Sequence, residues 1–244
     1  MKAFEKNIRK VEPYVPGEQP QHKVIKLNTN ENPYPPAPGV KEALLHMDFD
    51  RMRLYPDPTA GNLVHTLAEY YGVNDDQVFV GVGSDDVLAM CFLTFFNSEK
   101  PILFPDVTYS FYKVWAELYR IPYQCPALDE NFRMLKEDYY KENGGIIFPN
   151  PNAPTGVELA QDAIEDILKQ NPDKIVIVDE AYVDFGGETA IPLTKKYSNL
   201  IVVQTFSKSR SMAGARLGFC VACEELCQDL NTIRYSVNPY NINR

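Results

Sequence analysis

From Val78 onward the sequence alternates short, continuous apolar runs rich in β-branched residues with longer amphipathic stretches. That alternation leaves few folds open to the chain. Runs of this kind read as strands at Val78–Val82, Pro101–Phe104, Gly145–Phe148, Lys174–Val178, Leu200–Gln204 and Leu217–Ala222. Between and after them, helical spacing predicts helices at Asp85–Phe96, Tyr109–Tyr119, Gln161–Lys169 and Glu224–Arg234. Strands that are apolar throughout belong to a sheet covered on both faces, so the pattern predicts an α/β fold with a mainly parallel sheet. In open sheets of this class, ligands sit beyond the carboxyl ends of the strands. The residues that follow each strand are therefore where chemistry is sought.

Ahead of Val78 the pattern differs. Pro13, Pro16 and Pro20, followed by Leu27-Asn28-Thr29-Asn30-Glu31-Asn32-Pro33, predict an extended arm over residues 1–32. Helices are expected at Val40–Met47 and Gly61–Tyr71, where Leu63, Leu67 and Tyr70 or Tyr71 recur at helical spacing. The formal charge of −9 argues against a nucleic-acid surface, which needs a basic footprint. No apolar run reaches the roughly 20 residues of a membrane span. Met1 to Lys10 mix charges and lack the apolar core of a signal peptide, so the expected compartment is the cytoplasm. Cys91, Cys125, Cys220, Cys223 and Cys227 do not make a disulfide framework in such a chain. Cys220 falls in a strand-like run and Cys227 in a helix, so a metal site is not expected. His22, His46 and His65 are scattered without ligand spacing.

Five strand ends carry candidate chemistry. After the first strand, Gly83-Ser84-Asp85 opens a helix whose free N–H groups suit a phosphate, although from these residues alone a plain Ser/Asp cap is the simpler reading. After the second, Tyr109 is placed to stack on a planar ring or simply to pack. After the third, Asn150-Pro151-Asn152-Ala153-Pro154-Thr155-Gly156 forms a constrained turn, with or without an amide turned to a ligand. After the fourth comes Asp179-Glu180-Ala181-Tyr182. An acid leaving a buried strand is costly unless it meets a positive partner, such as a protonated pyridine nitrogen, or caps the loop.

The fifth strand end is the most informative. Thr205-Phe206-Ser207-Lys208 runs on through Gly214, Arg216 and Gly218. A lysine just past a buried strand, among hydroxyls, is suited to attack a carbonyl. Arg216 adds a planar cation for a phosphate, with Thr205 and Ser207 as neutral donors. Two glycines and the interleaved apolar residues argue against a basic surface loop.

Taken in order, these motifs resemble the fold type I pyridoxal-phosphate aminotransferases, the aspartate aminotransferase class. Within it, Leu27 to Pro33, Leu54-Tyr55-Pro56-Asp57 and Asn238-Pro239-Tyr240-Asn241-Ile242-Asn243 are most similar to the histidinol-phosphate aminotransferases. The resemblance implies a three-layer α/β/α domain on a mainly parallel seven-stranded sheet, over residues 33–244 after the arm. It implies pyridoxal 5'-phosphate held by Lys208 as a Schiff base, with Lys208 also shuttling the proton between Cα and C4′. Asp179 would pair with the pyridine nitrogen, Tyr182 would donate to the ring oxygen and Tyr109 would stack on the ring. Gly83, Ser84, Asp85, Thr205, Ser207 and Arg216 would surround the phosphate. Tyr55 would reach the phosphate of a neighbouring subunit, which implies a homodimer.

Two departures stand out. Many relatives carry an asparagine directly before Pro-Thr-Gly, where this chain has Ala153; Asn152 is expected to take over its bond to the ring oxygen. Relatives also continue for roughly another hundred residues as a C-terminal domain, so that small domain is expected to be absent from a chain that stops at Arg244. The implied reaction takes the amino group of L-histidinol phosphate, giving imidazole-acetol phosphate, and passes it to 2-oxoglutarate to give glutamate. Threonine-phosphate decarboxylation or another amino-acid transamination on the same scaffold is the alternative. A non-catalytic ligand-sensing module is a more distant one.

Overall fold

The computed structural model describes residues 3–240, so Asn241-Ile242-Asn243 of the last motif lies outside the described residues. Seven strands form one sheet: β1 (Val78–Gly81), β2 (Ile102–Leu103), β3 (Tyr123–Gln124), β4 (Ile146–Pro149), β5 (Val176–Asp179), β6 (Leu200–Thr205) and β7 (Gly218–Val221). Their order is β1-β7-β6-β5-β4-β2-β3. β7 runs antiparallel to both its neighbours, β6 and β1. The remaining pairings are parallel, as in Phe148↔Val178 between β4 and β5. The expected mainly parallel sheet is present. Its seventh strand, β3, is a two-residue edge pairing flanked by Pro122 and Pro126, too short to show as an apolar run.

Alternation along each strand builds two cores. Phe79, Ile147, Ile177, Ile201, Val203 and Cys220 face one side, where they meet Val87, Cys91 and Phe92, Tyr112 and Trp115, and Cys227 and Leu230. Those partners belong to α3 (Ser84–Phe95), α4 (Phe111–Tyr119) and α6 (Glu224–Val237). Val78, Val80, Ile146, Phe148, Val176, Val178, Val202 and Phe219 face the other side, against α2 (Gly61–Tyr71) and α5 (Gln161–Gln170). The strands are apolar at every position because both faces are covered.

Helix limits follow local chemistry. The Asp57 carboxylate accepts from Thr59 N at 2.9 Å and Gly61 N at 2.8 Å, tying down the start of α2. Gly72, at φ 63°, ends it in the left-handed conformation that glycine takes without strain. α4 starts at Phe111, two residues later than the spacing suggests, leaving Tyr109 in the turn after β2. α1 (Pro38–Leu45) has proline in its first turn and buries no residue.

Ahead of α1, Ala3–Asn7 form a 3-10 helix where an extended arm was expected. Residues 8–32 hold no helix or strand, yet they are fastened to the strand-end edge. Asn32 Nδ2 donates to Lys208 O at 3.1 Å and Ser209 O at 3.2 Å, and Tyr14 stacks on Phe111. Among the described residues, no helix is long and apolar enough to cross a membrane.

Candidate active site

The carboxyl ends of β1, β2, β4, β5 and β6 lie at one edge of the sheet, and β7, running the other way, begins there. Arg216, two residues ahead of β7, therefore comes to the same edge as Lys208, past the end of β6. A cavity of about 200 Å³ opens at this edge. Its walls include Ser84, Asp85, Tyr109, Asp179, Tyr182, Thr205, Ser207, Lys208 and Arg216, residues singled out from four separate strand ends.

At one end the backbone is pressed together. A Cβ on Gly218 would lie 2.2 Å from Ser84 N and 2.3 Å from Gly83 C, so β7 can pass the start of α3 only as glycine. Gly83 has φ 87°, and a Cβ there would lie 2.5 Å from Arg216 Nη2. The result is a helix N-terminus with no side-chain cap, beside the Arg216 guanidinium and close to the Thr205 and Ser207 hydroxyls. This combination attracts an anion. Arg216 donates to Ala213 O at 3.1 Å and lies 3.8 Å from Asp85 Oδ2. Tyr109 donates its hydroxyl to Asp85 Oδ1 at 2.8 Å; burial and that carboxylate raise its pKa far above the usual range.

Asp179, the last residue of β5, is 4% exposed. Its carboxylate accepts from Tyr112 Oη at 2.7 Å and from Ala181 N at 3.2 Å. Burial outweighs those bonds and pushes its pKa up to about 6. A buried carboxylate in this state favours a cationic neighbour. Tyr112 gave no signal in the sequence as part of the site, since it reads as a packing residue of α4.

Lys208 Nζ donates to Thr29 O at 3.1 Å and lies 5.7 Å from the centre of the Tyr182 ring. Asn30 Nδ2 donates to the Tyr182 hydroxyl at 2.9 Å, which leaves that hydroxyl's own proton to give. The arm thus closes the cavity from above, and Thr29 and Glu31 join its lining.

Behind the cavity a second set of polar groups holds the lysine loop. Glu180, next to Asp179 but on the opposite side, accepts from Ala190 N at 2.5 Å, Thr189 Oγ1 at 2.7 Å and Gln204 Nε2 at 2.8 Å. Gln204 Oε1 accepts from the Tyr71 hydroxyl at 2.6 Å, which in turn accepts from Arg210 Nη2 at 2.8 Å. The Arg210 guanidinium stacks 4.8 Å from the Phe206 ring centre and lies 3.6 Å from Asp184. Burial raises the Glu180 pKa to about 7. Arg210 was legible only as one charge in the lysine segment; its partners come from α2, β6 and the loop after β5.

Two expected residues are not brought into the cavity. Asn152 is buried, and its amide is used by Val107 O at 2.9 Å, Thr155 Oγ1 at 3.0 Å and Thr108 Oγ1 at 3.1 Å. It braces the turn, and Ala153 forms the wall in its place, so the expected substitution of one amide for the other does not occur in this geometry. Tyr55 stands 82% exposed, stacked on Tyr240 at 4.7 Å between ring centres, and does not line the cavity.

Comparison with known proteins places this architecture. Residues 22–238 match the family described as Aminotransferase class I and II. The histidinol-phosphate aminotransferase of Chromohalobacter salexigens is 52% identical over 237 residues, covering 97% of this chain and 68% of the relative. That of Clostridium botulinum (strain Hall) is 52% identical, covering 100% of this chain and 70% of the relative. Among solved structures, the histidinol-phosphate aminotransferase of Sinorhizobium meliloti in complex with pyridoxal-5'-phosphate superposes with a TM-score of 0.80 at 22% identity, which speaks to the fold. This chain spans 60% of that protein's length. With the sequence match, the identity level and the fold in agreement, the chain belongs to the class I and II aminotransferases, among the histidinol-phosphate aminotransferases.

Proposed function

We propose that the cavity holds pyridoxal 5'-phosphate through Lys208 and that the protein moves the amino group of L-histidinol phosphate to 2-oxoglutarate, leaving imidazole-acetol phosphate and glutamate. The observation that carries this reading is the convergence of three unlike groups in one cavity: an amine, a buried carboxylate and an anion cradle. Each fits one part of the cofactor. Gly83, Ser84, Asp85, Thr205, Ser207 and Arg216 would hold the phosphate, where Gly83 and Gly218 let the start of α3, the start of β7 and the Arg216 guanidinium approach one another closely. Asp179 would face the pyridine nitrogen and keep it protonated, and the bound cation would in turn pull the Asp179 pKa down from about 6. The Tyr109 ring would flank the cofactor, and Tyr182 would donate its hydroxyl to the ring oxygen. With Asn152 turned away, Tyr182 carries that contact without an amide beside it.

The bound cofactor supplies an electron sink for negative charge developing at the substrate carbon. The chain's own groups do the rest. Lys208 would take the proton from the substrate Cα and deliver it to C4′ of the cofactor, and the Thr29 carbonyl, 3.1 Å from Nζ, orients the amine. The arm excludes water from above by lying over Lys208, pinned through Asn30 and Asn32.

The same reading divides the chain into an arm, residues 1–32, and a cofactor domain, residues 33–244. It places the protein in the cytoplasm as a homodimer in which Tyr55 reaches the neighbour's phosphate. Tyr55 points outward, and α1 and the turn after it present Leu44, Leu45, Met47, Phe49 and Met52 to solvent, a surface that calls for cover. A threonine-phosphate decarboxylase would use the same cavity, but relatives about half identical over the whole chain favour the transaminase.

An absorbance titration of the cofactor-loaded chain with L-histidinol phosphate tests the proposal. Conversion of the pyridoxal form to the pyridoxamine form is the expected result. A loaded chain that binds cofactor and does not respond to the donor would refute the substrate assignment.

A further inference from the structure

The phosphate cradle, Asp179 and Lys208 account for the floor and one end of the cavity. They do not use Glu31, a carboxylate on the arm that lines the same cavity. We infer that Glu31 is a specificity-determining residue that receives the ring N–H of an imidazole-bearing amino donor. This deepens the proposed function and rests on it.

Glu31 is held in place from both sides along the chain. Before it, Asn30 donates to the Tyr182 hydroxyl at 2.9 Å and Thr29 O accepts from Lys208 Nζ at 3.1 Å. After it, Asn32 donates to the carbonyls of Lys208 and Ser209. A side chain between such anchors is preorganised, although the arm has no secondary structure of its own. Lys26 Nζ reaches Glu31 Oε2 at 2.8 Å and Thr29 Oγ1 at 2.5 Å, which fixes the carboxylate and keeps it ionised. A carboxylate has lone pairs on both oxygens, so this ion pair leaves it able to accept again. Its side chain remains 51% exposed, which leaves it open to a ligand.

The other acids of the cavity are engaged elsewhere. Asp85 is tied to Tyr109 and Arg216, and Asp179 to Tyr112 and Ala181. Glu31 is therefore the cavity acid on the arm side, opposite the sheet-edge floor. An imidazole titrates near pH 6.5 and presents an N–H in its neutral and charged forms alike. A phenyl ring of similar size offers no such donor. A carboxylate acceptor would bind the first and gain nothing from the second.

The test compares the cofactor-loaded chain with Glu31→Gln, using L-histidinol phosphate and L-phenylalaninol phosphate as paired donors. Both are titrated by the change in cofactor absorbance. Separately, the imidazole C2–H of bound L-histidinol phosphate is titrated by proton NMR in the Lys208→Ala background, which cannot turn the ligand over. We expect Glu31→Gln to weaken the imidazole donor about tenfold and the phenyl donor less than twofold, as loss of one charge-assisted hydrogen bond implies. The bound imidazole pKa should stand about one unit above its free value with Glu31 and return toward it with Gln. Equal weakening of both donors would make Glu31 a brace for the arm and overturn the inference alone. No change in either donor would overturn it as well. A wild-type chain that responds to neither donor would defeat the transamination reading and this inference together.

Discussion

The cavity edge of the sheet and the segment from Tyr34 to Tyr55 are built on opposite terms. At the sheet edge the buried Asp179 carboxylate is bonded to Tyr112 and Ala181, and the backbone is packed so closely that Gly218 admits no side chain. In the other region α1 and the turn after it bury nothing, and Tyr34, Leu45 and Tyr55 are all more than two-thirds exposed. The first region is packed and hydrogen-bonded within this chain. The second has apolar side chains that enter no core of this chain. The lesson is that cofactor holding and surface completion are separate properties of the molecule, and substitutions should separate them.

The sharpest contrast is Lys208→Ala. We expect complete loss of the covalent cofactor adduct and of turnover, with the circular dichroism spectrum and melting temperature little changed. The Lys208 side chain donates to Thr29 O on the arm and is not part of either core, so its loss leaves the core intact.

Next in size is the pair Gly218→Ala and Gly39→Ala. At Gly218 a Cβ would meet backbone atoms 2.2 and 2.3 Å away, so the cradle must shift. Overpacking of this kind costs about 1–3 kcal/mol or more, and cofactor affinity should fall at least tenfold in an equilibrium dialysis measurement. At Gly39, in α1, a Cβ would meet nothing within 4 Å. There alanine should stabilise by about 0.4–1 kcal/mol in urea denaturation. Equal effects at the two sites would erase the distinction between the regions.

Asp179→Asn is expected to trade stability for affinity. The folded pKa of about 6 lies above the ordinary 3.8, so the folded cofactor-free chain holds its proton more tightly than the unfolded chain does. The resulting penalty is absent below pH 4, grows from pH 4 to 6 and is full above pH 6, where it amounts to about 3 kcal/mol. The asparagine variant should therefore be more stable than wild type above pH 6 without cofactor, and should bind cofactor more weakly. Urea denaturation at pH 4 and pH 7.5 checks both the sign and the window.

The smallest effect on the site is expected from Leu45→Asp. It should shift a dimer toward monomer in sedimentation velocity while leaving cofactor absorbance per chain unchanged. An unaltered sedimentation coefficient would mean that this face is not an interface.

The two regions also differed in how plainly the sequence announced them. Val78–Gly81, Val176–Asp179 and Leu200–Thr205 read as strands because both faces of the sheet demand apolar side chains at every position. Once strand ends are known, Ser84, Asp179 and Lys208 follow, since a parallel sheet brings those ends to one edge. What escaped depends on side-chain direction and on distant partners. Asn152 and Ala153 are adjacent, and only the turn's own hydrogen bonds decide which one faces the cavity. Glu31 and the chain from Glu180 through Gln204 and Tyr71 to Arg210 unite residues far apart in sequence, with no spacing to mark them. β3 left no apolar trace because it consists of two residues at the sheet margin.

Lys208 is the amine proposed to take the cofactor in this cavity. Borohydride reduction of the chain mixed with pyridoxal 5'-phosphate, followed by proteolysis and peptide mass spectrometry, tests it most directly. One dominant pyridoxyl adduct is expected, on the peptide carrying Lys208, lost in Lys208→Ala. A dominant adduct on Lys26 or any other lysine, or one that persists in Lys208→Ala, would contradict it.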